Sequence, residues 1–579
     1  WEKPAVYEKW NTYSRIRVLG DDRILTPAFG WGLSPTLPAT VGARQLVVNI
    51  DANAGTVMTA FSGRPEDVGH LQYDISNLAH YLRSQADVFV VGVGGGRDIL
   101  SAIAFNQRRI VGLEVNRDMI DLVTRVFADL TGRLHERPDV RLINDEARSY
   151  LVRTNERFTI IQVSLIDSWA ATAAGAFVLS ENTLYTTEAW QLFLQRLTSN
   201  GILSFSRWYR QNAPGEIQRL LALAVHALRC NGVSDPRRHL LLVRVSAPEH
   251  TGDPNNGVGT LLVSPSPFSD ADLQKLSDVC RALRFDIALS PTTCIDPRFL
   301  PILETPDLLT YAAAQPQNIA PPTDDRPFFF HLHRIRDVFS TGGGETRVEV
   351  FLLALLGFIT VLTALCVLLP LRWRGDVPSS PDQFWFSVYF SGIGLGFMLI
   401  EMAFLQWLVV LLGHPTYSLS VVLFSLLLAS GAGSWLTARF VAPDVPPGKF
   451  WIGGFLMALV ASGLAVPGVA AAQAGAENLS RMFTAVLLIL PLGTILGTAF
   501  PRGMALCQQR QPALAPWLWG TNGAMSIVGS ILAVIIALEW GITAVFWTGT
   551  AGYLAAFVAI RRIASSMDSE VTTRAQAIE

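Results

Sequence analysis

Charge is scarce in this chain. Only 16% of its 579 residues are Asp, Glu, Lys or Arg, 50% are hydrophobic, and the net charge is -2. Such a sequence is not a disordered polymer, a coiled coil or a nucleic-acid-binding arm. So small a net charge sets up no global field for polyanions, and no nucleic acid is expected as a partner. Cysteine is sparse as well. Cys230, Cys280, Cys294, Cys366 and Cys507 lie far apart with no CxxC, which points to isolated thiols rather than a zinc site or a disulfide framework. No G-x-x-x-x-G-K-[ST] occurs, which disfavours ATP hydrolysis. His70 and His80 have no second ligand at metal spacing and read as surface or packing residues, so no metal is expected. A charged-then-apolar leader is also missing, and a start at Trp1 rather than Met reads as a fragment of something longer.

What is present divides in two. Residues 1–345 alternate short apolar runs with polar turns. Residues 349–561 instead carry apolar stretches near 349–371, 384–412, 417–438, 450–472, 481–500, 517–540 and 542–560. A helix needs ~20 apolar residues to cross ~30 Å of hydrocarbon, where it satisfies its own backbone hydrogen bonds. Seven such runs in succession predict an all-α polytopic membrane domain with a lipid bilayer as its solvent. Small residues at Gly392, Gly394, Gly396, Gly431, Gly433 and Ser434 predict closely approaching helices. Glu401, the one acid in mid-span, should face the bundle interior, either as a functional group or as a hydrogen-bonding one. The join, 340–345 (STGGGE), has linker composition. The expected parts are a β-subdomain at 1–65, a nucleotide-binding domain at 66–235, an α/β extension and linker at 236–345, the membrane domain at 346–563 and a polar tail at 564–579.

From residue 87 the soluble half reads strand, turn, helix, strand. The strands are Asp87–Val91, Ile110–Val115, Val140–Ile143, Phe158–Val163 and Gly201–Phe205, with helices between them. That alternation predicts a doubly wound α/β, Rossmann-like domain, which binds ligands at the carboxyl ends of its strands. Gly92, Gly94 and Gly96 follow the first strand and let backbone approach a ligand. Glu114 ends the second strand, where a carboxylate can take a ribose diol. Asp145 and Glu146 end the third, beside where an adenine would lie. Together they predict an adenosine-type ligand, the alternative being a glycine turn with solvated acids. NAD is the rival, but the third glycine of G-x-G-x-x-G is missing.

At these residues the sequence resembles the polyamine aminopropyltransferases (spermidine synthases), which share the fold of S-adenosylmethionine-dependent methyltransferases. It resembles most the membrane-bound spermidine-synthase-like proteins, over nearly its whole length. The matching segments are WNTYSRIRV at 10–18, VVNIDANAGT at 47–56, VGVGGGRDILSA at 91–102, GLEVN at 112–116, SLIDSWAATAAGAF at 164–177, LSENTLYTTEAW at 179–190 and PTDDRPFFFH at 322–331. In the membrane half they are GFMLIEMAFLQWLVVLLGHPTYS at 396–418 and AFPRGM at 499–504.

The resemblance implies a small N-terminal β-domain and a methyltransferase-type core that takes S-adenosylmethionine or its decarboxylated form. It places Gly92, Gly94, Gly96, Glu114 and Asp145 at the cofactor, where the strand-end reading adds Glu146; Tyr73 and Asp74 match its substrate side, and Tyr185, in the matched LYTTEAW segment, is a further substrate candidate. Two family acids are absent. The glycine-loop Asp that grips the cofactor's amine falls at Gly95, and the Asp that helps deprotonate the attacking amine falls at Ser164. Ser164 and Asp167 remain as the catalytic candidates, with Asp74 or Glu181 as substitute acids. Asp167 reads equally as a turn cap, and Tyr185 as a core residue.

Three functions follow. One is a membrane-anchored transferase moving an aminopropyl group to an amine or polyamine. The second is a methyltransferase on the same fold. The third is a non-catalytic carrier or sensor. The resemblance also admits a homodimer through the soluble domain. The expected location is a bacterial inner (plasma) membrane. Alternate loops collect Arg372, Arg374, Arg439, Lys449, Arg502, Arg510, Arg561 and Arg562, which places them and the C-terminus in the cytoplasm. Seven spans then put residues 1–345 outside, against a cytoplasmic cofactor, and the side of the soluble half stays open.

Overall fold

The computed structural model describes residues 4–578 except 13, 52–53, 167–182, 249–251, 254, 336–347, 374–380, 414 and 442–447. The chain forms two compact units, Trp1–Arg334 and Ile335–Glu579.

The first unit opens with an antiparallel sheet of β1 (Tyr7–Trp10), β2 (Arg15–Leu19), β3 (Leu25–Pro27), β4 (Gly42–Ile50) and β5 (Ala54–Thr59). Strand β4 is its spine, pairing with β2, β3 and β5. The second sheet holds β6 (Asp87–Val91), β7 (Arg109–Glu114), β8 (Val140–Asn144), β9 (Phe158–Ser164), β10 (Leu197–Arg210), β11 (Leu240–Ser246), β12 (Asn256–Val263) and β13 (Asp286–Leu289), in the order β13-β11-β12-β10-β9-β6-β7-β8. Strands β6 to β10 pair in parallel, while β12 runs antiparallel between β10 and β11. This is a Rossmann-like sheet of methyltransferase type. The residues after 235 supply its last three strands. Near-continuous apolar sequence explains the central strands. In DVFVV every residue after Asp87 is buried, because helices cover both faces of a parallel sheet.

Strand order reverses between β6 and β9, so the crevice for a ligand lies over their carboxyl ends. The loop after β6 starts helix Arg97–Ala104, and the end of β9 leads to Ser164.

The second unit is helical, and among the described residues seven helices are long and apolar enough to cross a membrane: Val348–Val367, Asp382–Leu412, Tyr417–Phe440, Lys449–Gln473, Asn478–Arg510, Pro512–Trp540 and Ile542–Ser565. They overlap all seven apolar stretches of the sequence. Glycine sets the closest approaches. A Cβ at Gly392 would stand 2.6 Å from the Gly552 carbonyl oxygen, and one at Gly433 only 1.9 Å from that of Thr494. Gly431, by contrast, faces open space and brings no helix closer. Glu401 is buried at 8% exposure.

Candidate functional site

The glycine loop is built by its own backbone and by Glu114. Gly92, Gly94 and Gly96 all have positive φ (82°, 52° and 88°), so the turn between β6 and the helix is open to glycine and strained for other residues. The N–H groups of Gly92 and Val93 donate to the Leu113 carbonyl at 2.9 and 3.1 Å, tying the loop to the end of β7. Glu114 completes the join. One carboxylate oxygen accepts from Gly94 N–H and the other from Asn116 N–H, each at 3.0 Å. Burial pushes its pKa up, and the hydrogen bonds from Asn116 and Gly94 work against that shift.

Asp145 and Glu146 lie beside this loop, since Asp145 N–H donates to the Glu114 carbonyl at 3.2 Å. Their side chains already have work. Asp145 accepts from Glu146 N–H at 2.9 Å and pairs with Arg153. Glu146 caps helix Ala147–Arg153, accepting from Arg148 and Ser149 N–H at 2.9 and 2.7 Å.

The N-terminal sheet covers the loop. The Thr56 side chain lies 3.6 Å from where a Gly94 Cβ would be, and a Cβ on Gly95 would fall 2.1 Å from the Val57 carbonyl oxygen. Lys9 and Asn11 hold Asp118, and Asn11 and Ser14 hold Asn116, which pins the turn after β1 next to Glu114.

The substrate-side candidates separate. Asp74 is fully buried. It accepts from Trp31 N–H at 2.8 Å, from Ser76 N–H and hydroxyl at 2.9 and 2.8 Å, and from Arg97 Nη1 at 2.9 Å. Tyr73 is half-buried against the same core. Tyr185 is buried in the other hydrophobic core, edge-on to Phe205 and Phe330 and tilted against Phe329, and its hydroxyl accepts from Arg207 at 3.2 Å. Ser164 ends β9, and its neighbour Ile166 lies 3.2 Å from a Cβ built on Gly92. Asp167 and Glu181 lie outside the described residues.

Sequence reasoning missed the polar layer beneath these residues. Arg97 bridges Asp74 and Asp98, the latter at 2.7 Å. Gln162 donates to Ser164 Oγ at 3.2 Å and to Asn77 Oδ1 at 3.0 Å. Its own carbonyl oxygen meets His80 Nε2 at 2.7 Å, while His80 Nδ1 faces Gln107 Nε2 at 3.1 Å. The available signal was Gln162 itself, a polar residue inside the apolar strand FTIIQV. Two glutamines thus hold His80 as a neutral imidazole, with Nε2–H donating and Nδ1 accepting.

That arrangement predicts an acid sensitivity. Burial lowers the pKa of both His70 and His80 from 6.5 to about 4, the positive Arg97 adding to the shift at His70. Both stay neutral in the fold while the unfolded chain takes protons below its own pKa. Their stabilising contribution is therefore full above pH ~6.5 and is lost as pH falls toward ~4, at ~1.4 kcal/mol per pH unit for each. Unfolding of the first unit, followed by tryptophan fluorescence of the full chain, should show this slope. In His80→Gln it should be shallower by ~1.4 kcal/mol per pH unit; an unchanged slope would remove the buried-neutral assignment.

No protein-family model matches the chain, and no curated protein matches it. Among solved structures it is similar to a probable spermidine synthase from Corynebacterium glutamicum, at 13% identity and TM-score 0.33, over 48% of this chain and 87% of that one. It is also similar to the spermidine synthase from Thermotoga maritima, at 14% identity and TM-score 0.30, over 53% and 86%. A third similar structure is human methyltransferase-like protein 13 in complex with SAH, at 16% identity and TM-score 0.24, over 38% and 89%. The class defined by the sheet order and the glycine loop is a methyltransferase-type Rossmann-like domain, joined in one chain to a helical unit of membrane-spanning length.

Proposed function

We propose that this chain is a membrane-anchored, spermidine-synthase-like transferase. It binds an S-adenosylmethionine-type nucleoside, with Glu114 on the ribose, and transfers an aminopropyl group to an amine acceptor. The observation that carries the reading is the Glu114 carboxylate at the end of β7, hydrogen-bonded to Gly94 N–H of a loop whose glycines have positive φ. A sugar diol entering the crevice finds a charged, pre-oriented acceptor there, and the loop leaves no side chain in its way. In the reaction the sulfonium carbon accepts the nitrogen lone pair and a neutral thioether leaves.

Methyl transfer is the second reading. Its support is Gly95, where no side chain fits, so the acid that grips the amine of the decarboxylated cofactor cannot stand there. Isothermal titration of the full chain in nanodiscs separates the two. Preference for decarboxylated S-adenosylmethionine favours aminopropyl transfer, and preference for the intact compound favours methylation. Polyamine binding without either nucleoside sinks both and leaves a carrier or sensor.

Glu114→Ala should weaken 5′-methylthioadenosine binding by ~2–4 kcal/mol, because charge-assisted hydrogen bonds to the diol are lost. An affinity within threefold of the native value would remove Glu114 from the ribose.

A further inference from the structure

The helical unit carries cations at its rim, and they differ in whether a carboxylate answers them. Arg510 pairs with Asp382. Arg502 has no such partner. It lies in helix Ala499–Arg510, just beyond the apolar run at 481–500. Its guanidinium carbon stands 4.7 Å from the centre of the Trp451 ring. Its Nε is buried without a hydrogen-bond partner, and among the described residues it forms no ion pair.

Trp451 is held in place from three sides. Its Nε1–H donates to Thr498 Oγ1 at 3.0 Å, at the start of the helix that carries Arg502. Its ring lies edge-on to Phe455 and to Phe557, with centroids 5.5 and 5.3 Å away. Phe557 belongs to helix Ile542–Ile578. Four residues on, on the same face, comes the exposed Arg561. Lys449, also exposed, opens the helix of Trp451 two residues before it. Three helices thus bring three cations around one fixed indole, and among the described residues none of the three has a carboxylate partner.

We propose that Arg502, Lys449 and Arg561 form a binding site for the phosphate of an anionic phospholipid, built around Trp451. The proposal rests on the membrane-anchored part of the function above and not on its chemistry. A guanidinium stacked on an indole keeps its outer N–H groups in one plane, the geometry that meets two phosphate oxygens side by side. The place selects a lipid. Arg502 stands where the apolar run of its helix ends, and a phospholipid puts its phosphate at that level of the bilayer. Alongside, Gly453 lies one turn from Lys449, where a Cβ would meet nothing within 4 Å, and Met457, one turn further, is 71% exposed. That face has room for an acyl chain below the headgroup. The charge selects an anionic headgroup, because a zwitterionic one brings its own cation toward Lys449 and Arg561.

The test titrates the full chain in detergent with phosphatidylglycerol or phosphatidylcholine of identical chains, read by native mass spectrometry. Phosphatidylglycerol should bind ~10-fold more tightly, and Arg502→Gln should remove ~10-fold of its affinity, as the loss of a charge-assisted bidentate pair implies. Arg561→Gln, at an exposed position, should cost ~3-fold. Arg439→Gln is the control. That cation stacks on Phe440 and not on Trp451, so its loss should change the affinity by less than ~2-fold.

Equal affinity for the two lipids would overturn the site. So would a loss in Arg502→Gln no larger than in Arg439→Gln, since the attraction would then be general to the bundle rim. Displacement of phosphatidylglycerol by equimolar inorganic phosphate would also overturn it, because the acyl chains would then add nothing. If Arg502→Gln does not fold, Arg561→Gln and Lys449→Gln decide by the same comparison with Arg439→Gln. A chain that stays monodisperse without detergent would take down membrane anchoring itself, and the lipid site with it.

Discussion

Gly95→Asp is expected to break the domain rather than restore a polyamine site. The obstacle is the first side-chain atom. A Cβ at residue 95 would stand 2.1 Å from the Val57 carbonyl oxygen, 2.6 Å from its carbon and 3.1 Å from Met58 N, all of them main chain. A flexible side chain could swing away, but β5 cannot. It is bound to β4 from Ile50↔Ala54 to Gln45↔Thr59, so a shift at Val57 breaks that ladder. Overpacking a rigid site costs ~1–3 kcal/mol, and a clash with backbone lies at or beyond the upper end. Gly95→Ala should cost nearly as much, because the volume and not the charge is at fault. Chemical denaturation with both variants decides it. A Gly95→Asp protein that unfolds at the native midpoint and binds putrescine more tightly would show that β5 yields, and the steric argument would be wrong.

Asp74→Ala should destabilise the first unit by ~3–5 kcal/mol, the usual cost of removing one partner of a buried ion pair. Asp74 is fully buried and Arg97 is 3% exposed, so water cannot replace the lost carboxylate. The change also strands the N–H of Trp31 and that of Ser76, both of which donate to Asp74. Asp98 stays near Arg97 and limits the loss. Because the damage comes from the unpaired cation, adding Arg97→Met should recover part of the stability, and the double variant should lie well above the sum of the single ones. A denaturation midpoint within ~1 kcal/mol of native for Asp74→Ala would mean that the ion pair is not held in the folded protein.

The same residue shows where sequence reading stopped. Asp74 was visible as a candidate substrate acid next to Tyr73, and its cap on Ser76 is local, but its other donors come from Trp31 and Arg97, which no local pattern joins to it. Tyr185 is similar. Its segment LYTTEAW carries a resemblance, but only packing against Phe205 and Phe329 puts the ring in the hydrophobic core.

Local periodicity carried the rest. Apolar runs of four to six residues with glycine turns are enough for parallel strands, and β6 spans Asp87–Val91, as its sequence pattern predicts. The membrane-length helices follow from the length of the apolar runs, since ~20 continuous apolar residues suit a helix that bonds its own backbone, whereas a barrel strand needs only about half that length. Glu114 at the end of β7 was legible because a strand end after a glycine loop is defined by neighbours in sequence.

The closed fold alone shows which acids are already engaged. Glu146 caps a helix, Asp145 is held by Arg153, and Asp74 by Arg97. The strands, the membrane-length helices and the glycine loop were legible from the chain alone, because their causes lie within a single stretch of sequence. The chain alone could not rank the carboxylates, because a carboxylate's charge state and partners depend on groups brought from distant segments, and on the burial that only the closed fold creates.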